Sequence, residues 1–149
     1  MLKRSPHFCS IYRKGVDGMI LGVGLDLCEI SRIDRAIERP HFLERVFAPA
    51  EQVRIRAASG KRRAEIAAGM FAAKEAVSKA LGTGFSGFGT VDIEITARES
   101  GQPECTLHRG ALDRADRMAG EGRWRIWISV THESGMAAAT AVIEGSPSA

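Results

Sequence analysis

The hydrophobic pattern alternates between two periods along the chain. From residue 20 to 27 apolar side chains are interleaved with Gly22 and Gly24, which predicts a strand closely approached by another backbone. Ser31 is placed to cap a short helix over 31–38, and Pro40 interrupts it. Pro49, with Glu51 two residues later, predicts a second helix to about residue 58. A long helix is expected over 62–81, with Ile66, Met70, Ala73, Val77 and Leu81 as its apolar stripe and Gly82 as its stop. Strand-like alternation returns at 91–95, followed by a turn at 100–103, a short extended piece at 104–108 and a modest helix at 111–118. Two last strands, 124–131 and 136–144, are joined around His132-Glu-Ser-Gly135. This order predicts an α+β fold, with a largely antiparallel sheet packed against a long helix and short helices after the first strand. Residues 1–18 carry no period and read as a partly disordered N-terminal extension, leaving 19–149 as a single domain.

Composition narrows the class. A chain of 149 residues with 44% hydrophobic content buries one core and leaves little for a second. No apolar run approaches the roughly 20 residues that span a bilayer, so a membrane role is not expected. The three cysteines, Cys9, Cys28 and Cys105, are odd in number and far apart, which predicts reduced thiols and a cytoplasmic location. Positions 32–63 hold nine basic residues against four acids, a local net charge of +5 within a chain of +3. So concentrated a patch calls for an acidic partner.

The candidate chemistry begins on the long helix. At 100° per residue, Phe71, Glu75 and Lys79 fall within about 80° of one another and away from the apolar stripe. Alone, Glu75 and Lys79 read as a solvated i,i+4 pair worth about 0.3 kcal/mol. Just beyond, Gly82-Thr-Gly-Phe-Ser-Gly87 has the letters of a dinucleotide fingerprint but follows a helix and precedes a strand, the reverse of the required context. No G-K-[ST] triplet exists for a P-loop. Asp26 ends the first predicted strand and His132 lies between the last two; by themselves they read as a turn former and a surface histidine.

Together these pieces occur in an order that resembles the holo-acyl-carrier-protein synthases, the small-subunit type of 4'-phosphopantetheinyl transferase. The matching segments are Gly22-Val-Gly-Leu-Asp-Leu-Cys-Glu-Ile-Ser-Arg32, Arg45-Val-Phe-Ala-Pro-Ala-Glu51, Phe71-Ala-Ala-Lys-Glu-Ala-Val-Ser-Lys79, Asp92-Ile-Glu-Ile95 and Ser129-Val-Thr-His132. They span about residues 19–144. The resemblance implies transfer of the phosphopantetheine arm of coenzyme A to a serine of an acyl carrier protein, for fatty acid biosynthesis, with release of adenosine 3',5'-bisphosphate. It implies Asp26 and Glu75 as ligands of Mg²⁺, with Glu75 taking the serine proton directly or by way of a water on the metal. Lys79 would offset charge on the phosphates. Lys74 and His132 match positions near the coenzyme's nucleotide end, while Gly82, Gly84 and Phe71 would line the coenzyme site. Arg32, Arg39 and Arg45 match the face on which the acidic carrier protein docks. A homotrimer with active sites shared between neighbouring subunits is also implied.

Two other readings accompany this one. The same chemistry dedicated to carrier domains of polyketide or peptide synthases is compatible with every residue named. A non-catalytic basic module for nucleic acid explains the arginines but not the carboxylates, and positions 32–63 offer only Phe42 and Phe47 for stacking bases. No nucleic-acid partner is therefore expected.

Overall fold

The structure is a computed structural model that describes residues 18–146. The extension expected over 1–18 lies, apart from Gly18, outside the described residues. Strand β1 (Met19–Glu29) leads into three short helices, α1 (Ile30–Ile37), α2 (Pro40–Val46) and α3 (Pro49–Ala57), and then into the long α4 (Gly60–Ala80). After the glycine loop and a 3-10 turn (Thr90–Asp92) come β2 (Ile93–Ala97), β3 (Pro103–Leu107), α5 (Arg109–Ala119), β4 (Arg123–Glu133) and β5 (Met136–Ser146). One antiparallel sheet has the order β1-β5-β4, and β2 and β3 form a separate antiparallel hairpin. The expected α+β architecture is thus present. No helix among the described residues is long and apolar enough to cross a membrane.

Three local expectations are corrected. Ser31 does not cap α1: the N-cap position is Glu29, and the Ser31 hydroxyl, already inside the helix, donates to the Glu29 carboxylate. Pro40 does more than interrupt. Its fixed φ and missing N–H suit a first helical turn, and it opens α2. Residues 91 and 92 belong to the 3-10 turn rather than a strand, because the buried Asp92 carboxylate accepts the Gly89 N–H at 3.0 Å and pairs with the Arg109 guanidinium.

Helix α4 organises the core. It packs on β1, β5 and β4 on one side and on α1, α3 and β2 elsewhere, so its burial is far wider than one stripe. Alanines 64, 67, 68, 72, 73, 76 and 80 are all buried, together with Met70 and Val77. Such small side chains let neighbours approach closely on every flank. The sheet reciprocates, since Ala137, Ala139 and Ala141 of β5 are buried against the helix. On β1 the approach is closer still. A Cβ at Gly22 would lie 1.9 Å from the Ala80 carbonyl oxygen, and one at Gly24 would lie 1.8 Å from that of Ala76. Only glycine fits at either place.

A Gly24→Ala protein is therefore expected to lose about 3 kcal/mol or more of stability, since the methyl meets helix backbone that cannot rotate away. Denaturant unfolding measures this, and a loss below about 0.5 kcal/mol would show that strand and helix separate easily.

Candidate active site

Alternation along β1 turns Gly22, Gly24, Asp26 and Cys28 toward α4, and the two glycines seat the strand against the helix backbone. Asp26 therefore arrives beside the exposed edge of α4. There Lys79 donates through its ammonium to Asp26 Oδ1 at 2.9 Å and to the Leu25 carbonyl at 2.9 Å. One ammonium proton remains for another acceptor. Glu75, one turn earlier on the helix, is half-buried and feels the charges of both Asp26 and Lys79. Burial holds its carboxyl above the ordinary carboxylate range, the charge of Asp26 pushes it further the same way, and Lys79 and Arg32 pull it back. Phe71 walls the same side, with the Arg32 guanidinium 5.9 Å from its ring centroid.

The structure thus brings together five of the expected residues: Asp26, Glu75, Lys79, Phe71 and Arg32. Gly82 and Gly84 follow within a few residues on the loop that leaves α4, with φ of +77° and +56° that L side chains rarely adopt. Arg39 and Arg45 are exposed on and beside α2. His132 is elsewhere. It is the last residue but one of β4, with Nε2 3.9 Å from Glu65, and lines a cleft of about 190 Å³ together with Arg54, Arg62 and Gly69. Glu65 precedes Glu75 by ten residues, which is about 15 Å along a helix. One chain therefore does not place His132 beside the carboxylates.

Lys74 is a correction. Expected near the coenzyme's nucleotide, its side chain is fully buried, and its three N–H donors are taken by Glu51, Thr90 and Ile93. The ammonium has neither an open path nor a spare donor for a phosphate. Glu51, its partner, is a residue whose role sequence reasoning missed. The available signal was its place two residues after Pro49, where a glutamate folds back on the helix start.

Neither of the described cysteines offers thiolate chemistry to the site. Burial pushes the Cys28 thiol up to about 11 and the Cys105 thiol up to about 12, so neither supplies a thiolate near neutrality.

A sequence model of the 4'-phosphopantetheinyl transferase superfamily matches residues 22–137, from the first strand glycine to the last strand. The chain belongs to that superfamily. Among its relatives are holo-[acyl-carrier-protein] synthases of Clostridium perfringens strain 13, 43% identical over 129 residues covering 85% of this chain and 96% of the relative, and of Clostridium acetobutylicum, 44% identical over 127 residues covering 85% and 98%. Solved structures agree. The Bacillus anthracis synthase in complex with coenzyme A (3',5'-ADP) superposes with a TM-score of 0.70 at 32% identity, covering 85% of this chain and 97% of that one. The Helicobacter pylori synthase in complex with coenzyme A gives 0.67 at 31% identity, covering 81% and 98%. In this phosphopantetheinyl transferase the matched segment includes every residue of the carboxylate site.

The raised Glu75 carboxyl has a consequence for stability. A group that holds its proton more tightly when folded costs nothing below its unfolded value near 4.5, and destabilises as pH rises through the folded one. Glu75→Gln should accordingly raise Tm relative to the parent at about pH 7 in EDTA and leave it nearly unchanged at about pH 4. Calorimetry at both values decides, and an equal gain at both would mean the carboxylate is not strained.

Proposed function

We infer that this chain transfers the 4'-phosphopantetheine arm of coenzyme A to a serine hydroxyl of an apo acyl carrier protein. The products are the holo carrier and adenosine 3',5'-bisphosphate. The serine oxygen forms a bond to the phosphorus that carries the pantetheine, the bond from that phosphorus to the bridging oxygen breaks, and the serine proton passes to a base. The observation that carries the reading is the cluster of Asp26, Glu75 and Lys79, two carboxylates and a lysine on one helix–strand seam, in a chain of the transferase superfamily.

Mg²⁺ fits this donor set. Burial and then the charge of Asp26 raise the cost of ionising Glu75, a cost that a bound cation would offset. Among the described residues no group of three or more His, Cys, Asp and Glu is assembled to cage a metal. Magnesium is usually held by one or two carboxylates and completed by substrate phosphate oxygens and water. Asp26 and Glu75 would hold it, and when bound it neutralises charge on the pyrophosphate. Lys79 keeps Asp26 in place and directs its remaining proton toward the phosphates. Glu75 takes the serine proton directly or by way of a water on the metal.

The carrier docks through charge. Arg32 stands beside Phe71 at the site itself, and Arg39 and Arg45 continue the basic surface over α2. An acidic carrier helix lying across them would bring its serine to Glu75, and its association would weaken with salt. The active assembly is a homotrimer with shared sites. Its support is a bare apolar strip on the sheet face away from α4, where Val23, Leu25 and Leu27 stand 62%, 61% and 62% exposed. The separation of His132 from the carboxylates supports it too, because a cleft from a neighbouring subunit would supply the coenzyme's nucleotide end.

Intact mass of an apo acyl carrier protein after incubation with the chain, coenzyme A and Mg²⁺ tests the reaction. A gain of one phosphopantetheine, abolished by EDTA and by Asp26→Ala or Glu75→Ala, is expected. No gain with carriers from fatty acid, polyketide and peptide synthesis would sink the proposal.

Charge reversal at Arg32 should raise KM for the carrier about tenfold, equivalent to about 1.4 kcal/mol, and leave coenzyme A affinity within twofold. A fall in coenzyme affinity alone would move the docking face elsewhere.

A further inference from the structure

Immediately before the site glutamate on α4, Lys74 is the one fully buried lysine among the described residues, and its contacts run in one direction. Its ammonium meets Glu51 Oε2 at 2.7 Å, the Thr90 carbonyl at 2.9 Å and the Ile93 carbonyl, above the Phe47 ring at 5.8 Å from the centroid. Glu51 is equally saturated. Its Oε2 also accepts the Ala48 N–H at 2.6 Å, and Oε1 accepts the Ile95 N–H at 2.7 Å. Thr90 in turn donates its hydroxyl to the Arg45 carbonyl at 3.1 Å. Every path from Lys74 thus leads to the chain between Arg45 and Glu51 or to the start of β2.

We propose that Lys74 and Glu51 are a positioning pair, which locks the carrier-docking segment around Arg45 to the turn of α4 that presents Glu75. The inference rests on the docking reading above. Lys74 and Glu75 are successive residues on a rigid helix, so fixing one side chain inward fixes the direction of the other about 100° around the axis. The same ammonium anchors the α2–α3 junction through Glu51 and, through Thr90, the backbone of Arg45 itself. A carrier bound on that segment is thereby held at a set distance from the carboxylate that faces its serine. In phosphoryl transfer such placement carries much of the rate.

Two variants test the pair. Glu51→Gln with Lys74→Met removes both charges at similar volume, avoiding the lone buried charge that a single change would leave. Thr90→Val removes only the bond to Arg45, on a half-buried turn. Each is assayed for Tm, for coenzyme A affinity by calorimetry without carrier, and for kcat and carrier KM per folded enzyme. The double variant is expected to raise carrier KM and lower kcat, each about fivefold or more, with coenzyme affinity within twofold. Thr90→Val is expected to raise carrier KM about twofold to threefold with kcat unchanged. Loss of coenzyme affinity in the double variant would make Lys74 a phosphate ligand and overturn the proposal. A lowered Tm with unchanged carrier KM and kcat would reduce the pair to a core contact and overturn it as well. An unchanged carrier KM in Thr90→Val would do the same should the double variant not fold. Absence of transfer by the parent chain, by contrast, would refute the functional reading itself.

Discussion

Everything in this fold depends on how closely β1 lies against α4. The helix carbonyls of Ala76 and Ala80 occupy the space where side chains of residues 24 and 22 would be, so strand and helix meet backbone to backbone. That contact has a chemical result. Asp26 is two residues beyond Gly24, and Glu75 is one residue before Ala76, so the glycine seat that closes the core also brings the two carboxylates together. The alanine content of α4 and β5 extends the same logic, since larger side chains would push the layers apart and the carboxylates with them.

Proximity of like charges is a cost that the architecture accepts. Burial and Asp26 both favour protonation of Glu75, and Lys79 offsets them only in part. The proposed cation would relieve that cost, since the nearby Lys79 is already anchored to the strand at Leu25 and Asp26. The two lysines of the motif therefore divide their work. Lys79, half exposed at the seam, has a donor beyond its bonds to Leu25 and Asp26, whereas Lys74 points inward and has none. Five positions on one helix separate a solvent-facing cation from a structural one.

The sequence revealed the carboxylate site more readily than its support. Periodicity placed the long helix and both final strands, and the face shared by Phe71, Glu75 and Lys79 was visible from spacing alone. Gly22 and Gly24 announced a close backbone approach, which the structure contains. Lys74 could not be placed that way. A lysine on an alanine-rich helix looks solvated, and its partner, Glu51, lies 23 residues earlier in a segment that reads as part of a charged surface. Only the fold shows that Glu51 turns inward to meet the Ala48 and Ile95 N–H groups. Ser31 misled for a related reason. Capping residues are recognised by type, but the strand runs to Glu29 and the helix begins before the serine.

His132 exposes a different limit. Its motif adjoins the site in sequence resemblance, yet one chain holds it about 15 Å of helix away from Glu75. Two features of a single chain then point to the same resolution. The sheet presents a row of exposed aliphatic side chains on the face opposite α4, and β1, the strand that bears this row, also bears Asp26 on its other face. A neighbour packed on the row would cover apolar surface that water otherwise wets, and would do so within one pleat of the carboxylates. In the proposed trimer, burial of that face and completion of the coenzyme site would be the same event. Activity in the proposed trimer would follow assembly, because β1 carries Asp26 on one face and the exposed aliphatic row on the other.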